Sequence, residues 1–120
     1  MTYEASFGEG KYRISGVAVP CGGDVSISLF GGTQPHVGAV SVAVYEPERC
    51  SATVSTVTLF SHRDDFCSAP CAKRASIALH CTVSVSAGIH IDDAAQDELQ
   101  VLLDNADRCC DILISQLGSS

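Results

Sequence analysis

Three short segments of the 120-residue chain bring an alternating apolar run to an end on a histidine with other polar groups close by: Pro35-His36, Ser61-His62-Arg63-Asp64 and Gly88-Ile89-His90-Ile91-Asp92. If the strand ends that carry them share one edge of a sheet, three imidazoles, a guanidinium and two carboxylates meet in one pocket. That set can do more than one kind of chemistry. His36, His62 and His90, with Asp64 or Asp92, can supply nitrogen and oxygen ligands to a metal, although no pair has the tight spacing of an HxxxH or CxxC motif. The same corners suit an anion. Arg63 is a planar fork for a phosphate, amides at helix starts after Asp64 and after Asp92-Asp93 carry partial positive charge, and Gly31-Gly32 lets backbone approach a ligand closely. Asp64, Asp92 and Asp93 also stand where helix caps stand, a purely local role. Cys67 and Cys71 at (i, i+4), and the vicinal Cys109-Cys110, could act as redox or metal pairs, but their helical positions also suit small buried hydrophobes. The chain has no Gly-x-Ser-x-Gly elbow, Walker loop or Gly-x-Gly-x-x-Gly fingerprint.

The elements that must position these corners follow from periodicity. Lys11 to Val19, Val25 to Phe30, Val37 to Val44, Ser51 to Phe60 and His80 to Ala87 alternate or are β-branched and predict strands. Pro20-Cys21-Gly22-Gly23-Asp24 predicts a hairpin between the first two. From Asp64 or Asp65 to Leu79 the spacing of Cys67, Cys71, Ala75 and Ala78 predicts a helix, which Pro70 disturbs unless it lies in the first turn. Asp93 with Gln96 has capping-box spacing and predicts the start of a second helix of about twenty residues. Its apolar stripe is Leu99, Leu102, Leu103, Ala106, Cys110, Leu113 and Leu117. The predicted order is β-β-β-β-α-β-α, an α+β domain with one mainly antiparallel sheet and both helices packed on it. Residues 1–10 read as a tail or a loosely paired edge, 11–117 as the single domain and 118–120 as a second tail.

Composition narrows the function. Fourteen acidic residues against seven Lys and Arg give a net charge of −7, so no basic face for nucleic acid or an anionic membrane can be assembled. No apolar stretch approaches the roughly 20 residues of a membrane span. The first six residues, Met1 to Ser6, have neither a basic nor an apolar segment, so no secretion signal is expected. A cytoplasmic protein follows as the expectation, and with it seven reduced cysteines rather than a disulfide framework.

The runs Gly31-Gly32-Thr33-Gln34-Pro35-His36-Val37-Gly38-Ala39-Val40-Ser41-Val42-Ala43, Ser61-His62-Arg63-Asp64-Asp65 and Ala87-Gly88-Ile89-His90-Ile91-Asp92-Asp93-Ala94 resemble, in the same order, those of the small prenylated-flavin chaperones typified by LpdD. The likeness spans about residues 11 to 116. It implies a fold similar to proteasome assembly chaperones. It also implies a non-enzymatic accessory protein that binds prenylated FMN, or ordinary FMN, and delivers it to or protects it for a UbiD-type hydroxybenzoate or gallate decarboxylase. Carried over by motif, the site comprises Gly32, Pro35, His36, His62, Arg63, Asp64, Gly88, His90 and Asp92, with no catalytic residue and no metal. Alternatives that the residues leave open are a structural subunit of the decarboxylase and a small His/Asp enzyme acting on a phosphorylated or phenolic substrate. A homodimer is the expected assembly.

Overall fold

Each of the five expected strands is present with its ends shifted by a few residues: Lys11 and Tyr12 lie in a 3-10 turn and Phe60 lies outside the described residues. In the computed structural model, which describes residues 1–59 and 65–119, the strands are β1 (Tyr3–Phe7), β2 (Ile14–Cys21), β3 (Asp24–Gly32), β4 (Ala39–Glu46), β5 (Ser51–Thr58) and β6 (Val83–His90), and the helices are α1 (Asp65–Leu79) and α2 (Gln96–Gly118). The first ten residues supply β1, which pairs antiparallel with β2. Strands β2 and β3 form the expected hairpin, closed across Cys21 and Asp24 by Gly22-Gly23. The sheet order is β1-β2-β3-β6-β4-β5. Strand β6 enters between β3 and β4, parallel to the first and antiparallel to the second. The fold is α+β as expected, and the single parallel pair makes the mainly antiparallel sheet a mixed one.

Both helices lie on one face, α1 across β4, β5 and β6 and α2 across β1 and β2. Ile14, Ala18, Ile27, Leu29, Ala43, Val83, Val85 and Ala87 point into that layer and are buried, each large aliphatic contributing roughly 1.5–3 kcal/mol. The alternate residues face away from the helices: Ser15, Val17 and Val19 on β2, Ser26, Ser28 and Phe30 on β3, Ser84 and Ser86 on β6, and Val40, Val42 and Val44 on β4. No described helix crosses this outer face, and no described helix is long and apolar enough to cross a membrane.

Helix α1 approaches the sheet closely because Cys67, Ser68, Cys71, Ala72, Ala75 and Ser76 are small and buried. Pro70 lies within it, on an exposed position where the ring meets solvent. The buried Ser41 hydroxyl lies 2.8 Å from both Thr56 Oγ1 and Ser68 Oγ, joining β4, β5 and α1 in one polar chain. Two further ties hold α1 to α2. Arg74 pairs with Asp107 and Asp111 at 3.3 Å. Cys71 and Cys110 form a disulfide with Cα atoms 6.1 Å apart. This pair corrects the expectation of seven free thiols. Helix packing brings residues 39 apart in sequence face to face, a pairing that (i, i+4) spacing within α1 does not suggest. Closing a loop of that length stabilises by about 4 kcal/mol in the chain-entropy account. The neighbouring Cys109 remains a thiol, pushed up to about 11 by burial.

Helix α2 starts differently from the Asp93/Gln96 box. Asp93 adopts φ 53° in the left-handed region, incompatible with the extended backbone of an N-cap. The helix opens after Ala95, whose amide donates to Glu98 Oε1 at 3.1 Å. Lys11 Nζ at 2.7 Å and the Tyr12 hydroxyl at 2.9 Å hold the other Glu98 oxygen. These donors, Lys11 foremost, hold the Glu98 carboxyl down at about 2. Leu99, placed on the apolar stripe by spacing, is instead 44% exposed, whereas Leu102, Ala106, Cys110 and Leu113 are buried.

Two expectations follow. Ser41→Ala strands the buried Ser68 hydroxyl and should cost about 1–3 kcal/mol in urea unfolding. Because the folded pKa of Glu98 lies below its ordinary 4.5, its contribution is present above that pH and is lost as pH falls toward 2. Glu98→Gln should therefore lower the urea midpoint at pH 7 and flatten its decline through the acid range.

Candidate functional site

Two of the three polar corners meet at the end of the sheet where β3 and β6 stop and β4 begins. Gly32 stands opposite His90 in the β3–β6 register. The chain then leaves β3 and crosses to β4, fastened to β6 as it goes. The Thr33 and Gln34 amides donate to the His90 carbonyl at 2.7 and 3.4 Å, and the Gly38 amide to the Ala87 carbonyl at 2.8 Å. This crossing is possible because Gly88 has no side chain: a Cβ there would overlap the His36 carbonyl. Gly32, at φ +86°, is required in the same way, since a Cβ would overlap the His90 backbone.

The result places the His36 and His90 rings edge to face, centroids 6.2 Å apart. His36 Nδ1 lies 3.0 Å from the Gln34 carbonyl. A carbonyl only accepts, so Nδ1 carries a proton there and donates it to Gln34. His90 Nε2 lies 2.9 Å from Asp92 Oδ1, so that nitrogen donates to the carboxylate. Asp92 is oriented in turn by the Gln34 amide group at 3.2 Å and donates its own backbone amide to Thr33 Oγ1 at 3.4 Å. A shallow cavity of about 310 Å³ opens over Gln34, Pro35, His36, Val37 and His90. The arrangement holds fixed polar groups at the rim of this cavity.

Of the residues expected from sequence, Gly32, Pro35, His36, Gly88, His90 and Asp92 are gathered here. His62, Arg63 and Asp64 lie outside the described residues. The Leu59 amide donates to the Gly38 carbonyl at 2.9 Å, so β5 leaves the sheet at this same edge. Among the described residues no group of three His, Cys, Asp or Glu is placed to hold a metal. Sequence reasoning passed over Thr33 and Gln34, which fasten the two corners to each other; their position between the glycine pair and Pro35-His36 was the available signal. It also passed over a second hollow, of about 490 Å³, on the outer face beside this edge, lined by Ser6, Arg13, Ser15 and Phe30 among others. His80, which sequence sets apart from the corners, stacks on Tyr45 with ring centroids 4.3 Å apart.

Gly88→Ala should displace the 33–38 crossing from β6. A loss of about 1–3 kcal/mol in thermal unfolding is expected, together with loss of the inter-ring NOEs between His36 and His90.

Comparison with known proteins bears on the same region. No curated protein matches the chain. In three dimensions it is similar to a chain of a solved structure described as the "Crystal Structure of a Novel Chaperone Complex for Yeast 20S Proteasome Assembly", with a TM-score of 0.64 over 98% of this chain and 97% of that one at 14% identity, a likeness of fold. The family model of the prenylated flavin chaperone LpdD-like domain matches residues 8–118, a span that contains the whole β3–β6–β4 edge. With nearly its full length matched, the chain belongs to the prenylated flavin chaperone LpdD-like family.

Proposed function

We propose that this protein binds prenylated FMN at the β3–β6–β4 edge and delivers it to, or guards it for, a UbiD-type aromatic acid decarboxylase, with no turnover of its own. The observation that carries the reading is the His36–His90 ring pair lining one open hollow with Gln34 and Pro35, within a chain of the flavin-chaperone family. The residues fit such a cofactor: the open hollow over Pro35, His36, Val37 and His90 admits the edge of a flat ring system, and the imidazoles hydrogen-bond its polar edge or the ribityl hydroxyls. The cofactor's own chemistry is expressed in the partner enzyme. His62, Arg63 and Asp64 belong to the proposed site by their motif.

The working form in this proposal is a cytoplasmic homodimer. Exposed Val42, Val44 and Val57 on the outer face of β4 and β5 support self-association. Sedimentation velocity should give a dimer that Val44→Lys dissociates.

Titration of the purified protein with prenylated FMN and with FMN, followed by absorbance and calorimetry, tests the cofactor role. Saturable binding is expected, with His36→Ala and His90→Ala each weakening it by about tenfold, the worth of one hydrogen bond to a fixed partner. The loaded protein should then activate an apo-decarboxylase. Absence of binding to either flavin would overturn the reading in favour of a structural decarboxylase subunit, and turnover of a phenolic or phosphorylated substrate would overturn it in favour of an enzyme.

A further inference from the structure

The outer face beside the histidine pair carries a second polar group set that the family motifs do not include. Strand register places Ser6, Ser15, Phe30 and Gly88 in one row across β1, β2, β3 and β6. In the next row Arg13, whose carbonyl accepts the Gly32 amide at 3.4 Å, is followed by Gly32 and then by His90. Arg13 and His90 are thus two strand spacings apart, about 9.6 Å, with no side chain on Gly32 between them.

Arg13 projects onto the outer face. It lines the hollow of about 490 Å³ together with Ser6, Ser15, Val17 and Phe30, and Nη2 donates to Ser6 Oγ at 2.9 Å. Among the described residues no carboxylate pairs with Arg13. The other described arginines and Lys11 are engaged elsewhere: Lys11 by Glu98, Arg49 by Glu46, Arg74 by Asp107 and Asp111, and Arg108 over the Phe7 ring. A guanidinium with only a neutral partner, flanked by two hydroxyls and an aromatic ring, is a set that recognises an anion joined to a flat or apolar body. Glu4, opposite Val17, lines the same hollow two residues from Ser6, away from Arg13. Its negative charge confines an anion to the Arg13 end.

We infer that Arg13, with the Ser6 and Ser15 hydroxyls, binds the phosphate of a phosphomonoester whose ring system extends past Phe30 and over Gly32 to the His36–His90 pair. The inference deepens the flavin reading and rests on it for the identity of the ring. It assigns the anion to a residue of the β2 start, in place of or alongside the Arg63 expected from sequence.

The test uses full-length protein and two probes. Calorimetric titration with FMN and with riboflavin, which lacks the phosphate, should show FMN binding at least about tenfold more tightly. Arg13→Gln should erase that difference while leaving riboflavin affinity within about twofold, and Glu4→Gln should tighten FMN. In parallel, phenyl phosphate should shift the Arg13 Nε–H resonance saturably. An unchanged FMN-to-riboflavin ratio in Arg13→Gln, or an Arg13 resonance unmoved by phenyl phosphate, overturns the inference even if flavin binds. If neither flavin binds but phenyl phosphate moves Arg13, the anion site stands and the flavin reading falls.

Discussion

A single steric constraint organises this protein: the chain between β3 and β4 must pass across β6 in contact with its backbone. The His36 carbonyl occupies the volume that a side chain at residue 88 would fill, and the His90 backbone does the same at residue 32. Absence of side chains at these two positions lets Thr33 and Gln34 reach the His90 carbonyl. Those hydrogen bonds in turn fix His36 against His90 and Asp92 against Gln34. The polar groups at the edge are therefore placed by main-chain hydrogen bonds and then tied to one another by the Gln34–Asp92 and His90–Asp92 side-chain pairs.

The two faces of the sheet have separate tasks. One is given to stability, with close packing of small residues against α1, a leucine-rich stripe of α2 and a covalent bridge between the helices. The other keeps serines, valines, one phenylalanine and one arginine on a surface that no described helix covers. Strand alternation writes both into the same segments, so Ile14 and Gly16 serve the core while Arg13, Ser15 and Val17 serve the outer face.

Much of this was legible in residue order. Period-2 runs located five strands, and the spacing of Leu102, Ala106 and Leu113 located the buried side of α2. The glycines and histidines of the first and third corners were legible as strand ends, and the β3–β6 register brings these two to one edge. What was not legible depended on tertiary geometry. Tyr3–Phe7 has too few apolar residues to announce a strand and owes its conformation to pairing with β2. Cys71 and Cys110 are neighbours only through helix packing. The start of α2 is set by Lys11 and Tyr12, over 80 residues away, drawing Glu98 into place. Arg13 looked like one polar residue of a strand until register set it in line with Gly32 and His90.

The insertion of β6 between β3 and β4 also fixes an order of events during synthesis. Strands β2 with β3, and β4 with β5, are sequence-adjacent hairpins that can form as the chain emerges. Their shared boundary is a strand that begins only at Val83. Until that strand is made, the two hairpins have no common edge, the crossing between them has nothing to fasten to, and His36 has no partner ring. This edge is thus the last part of the sheet to be completed, and an amino-terminal fragment ending before Val83 contains half of the residues gathered there but none of their geometry.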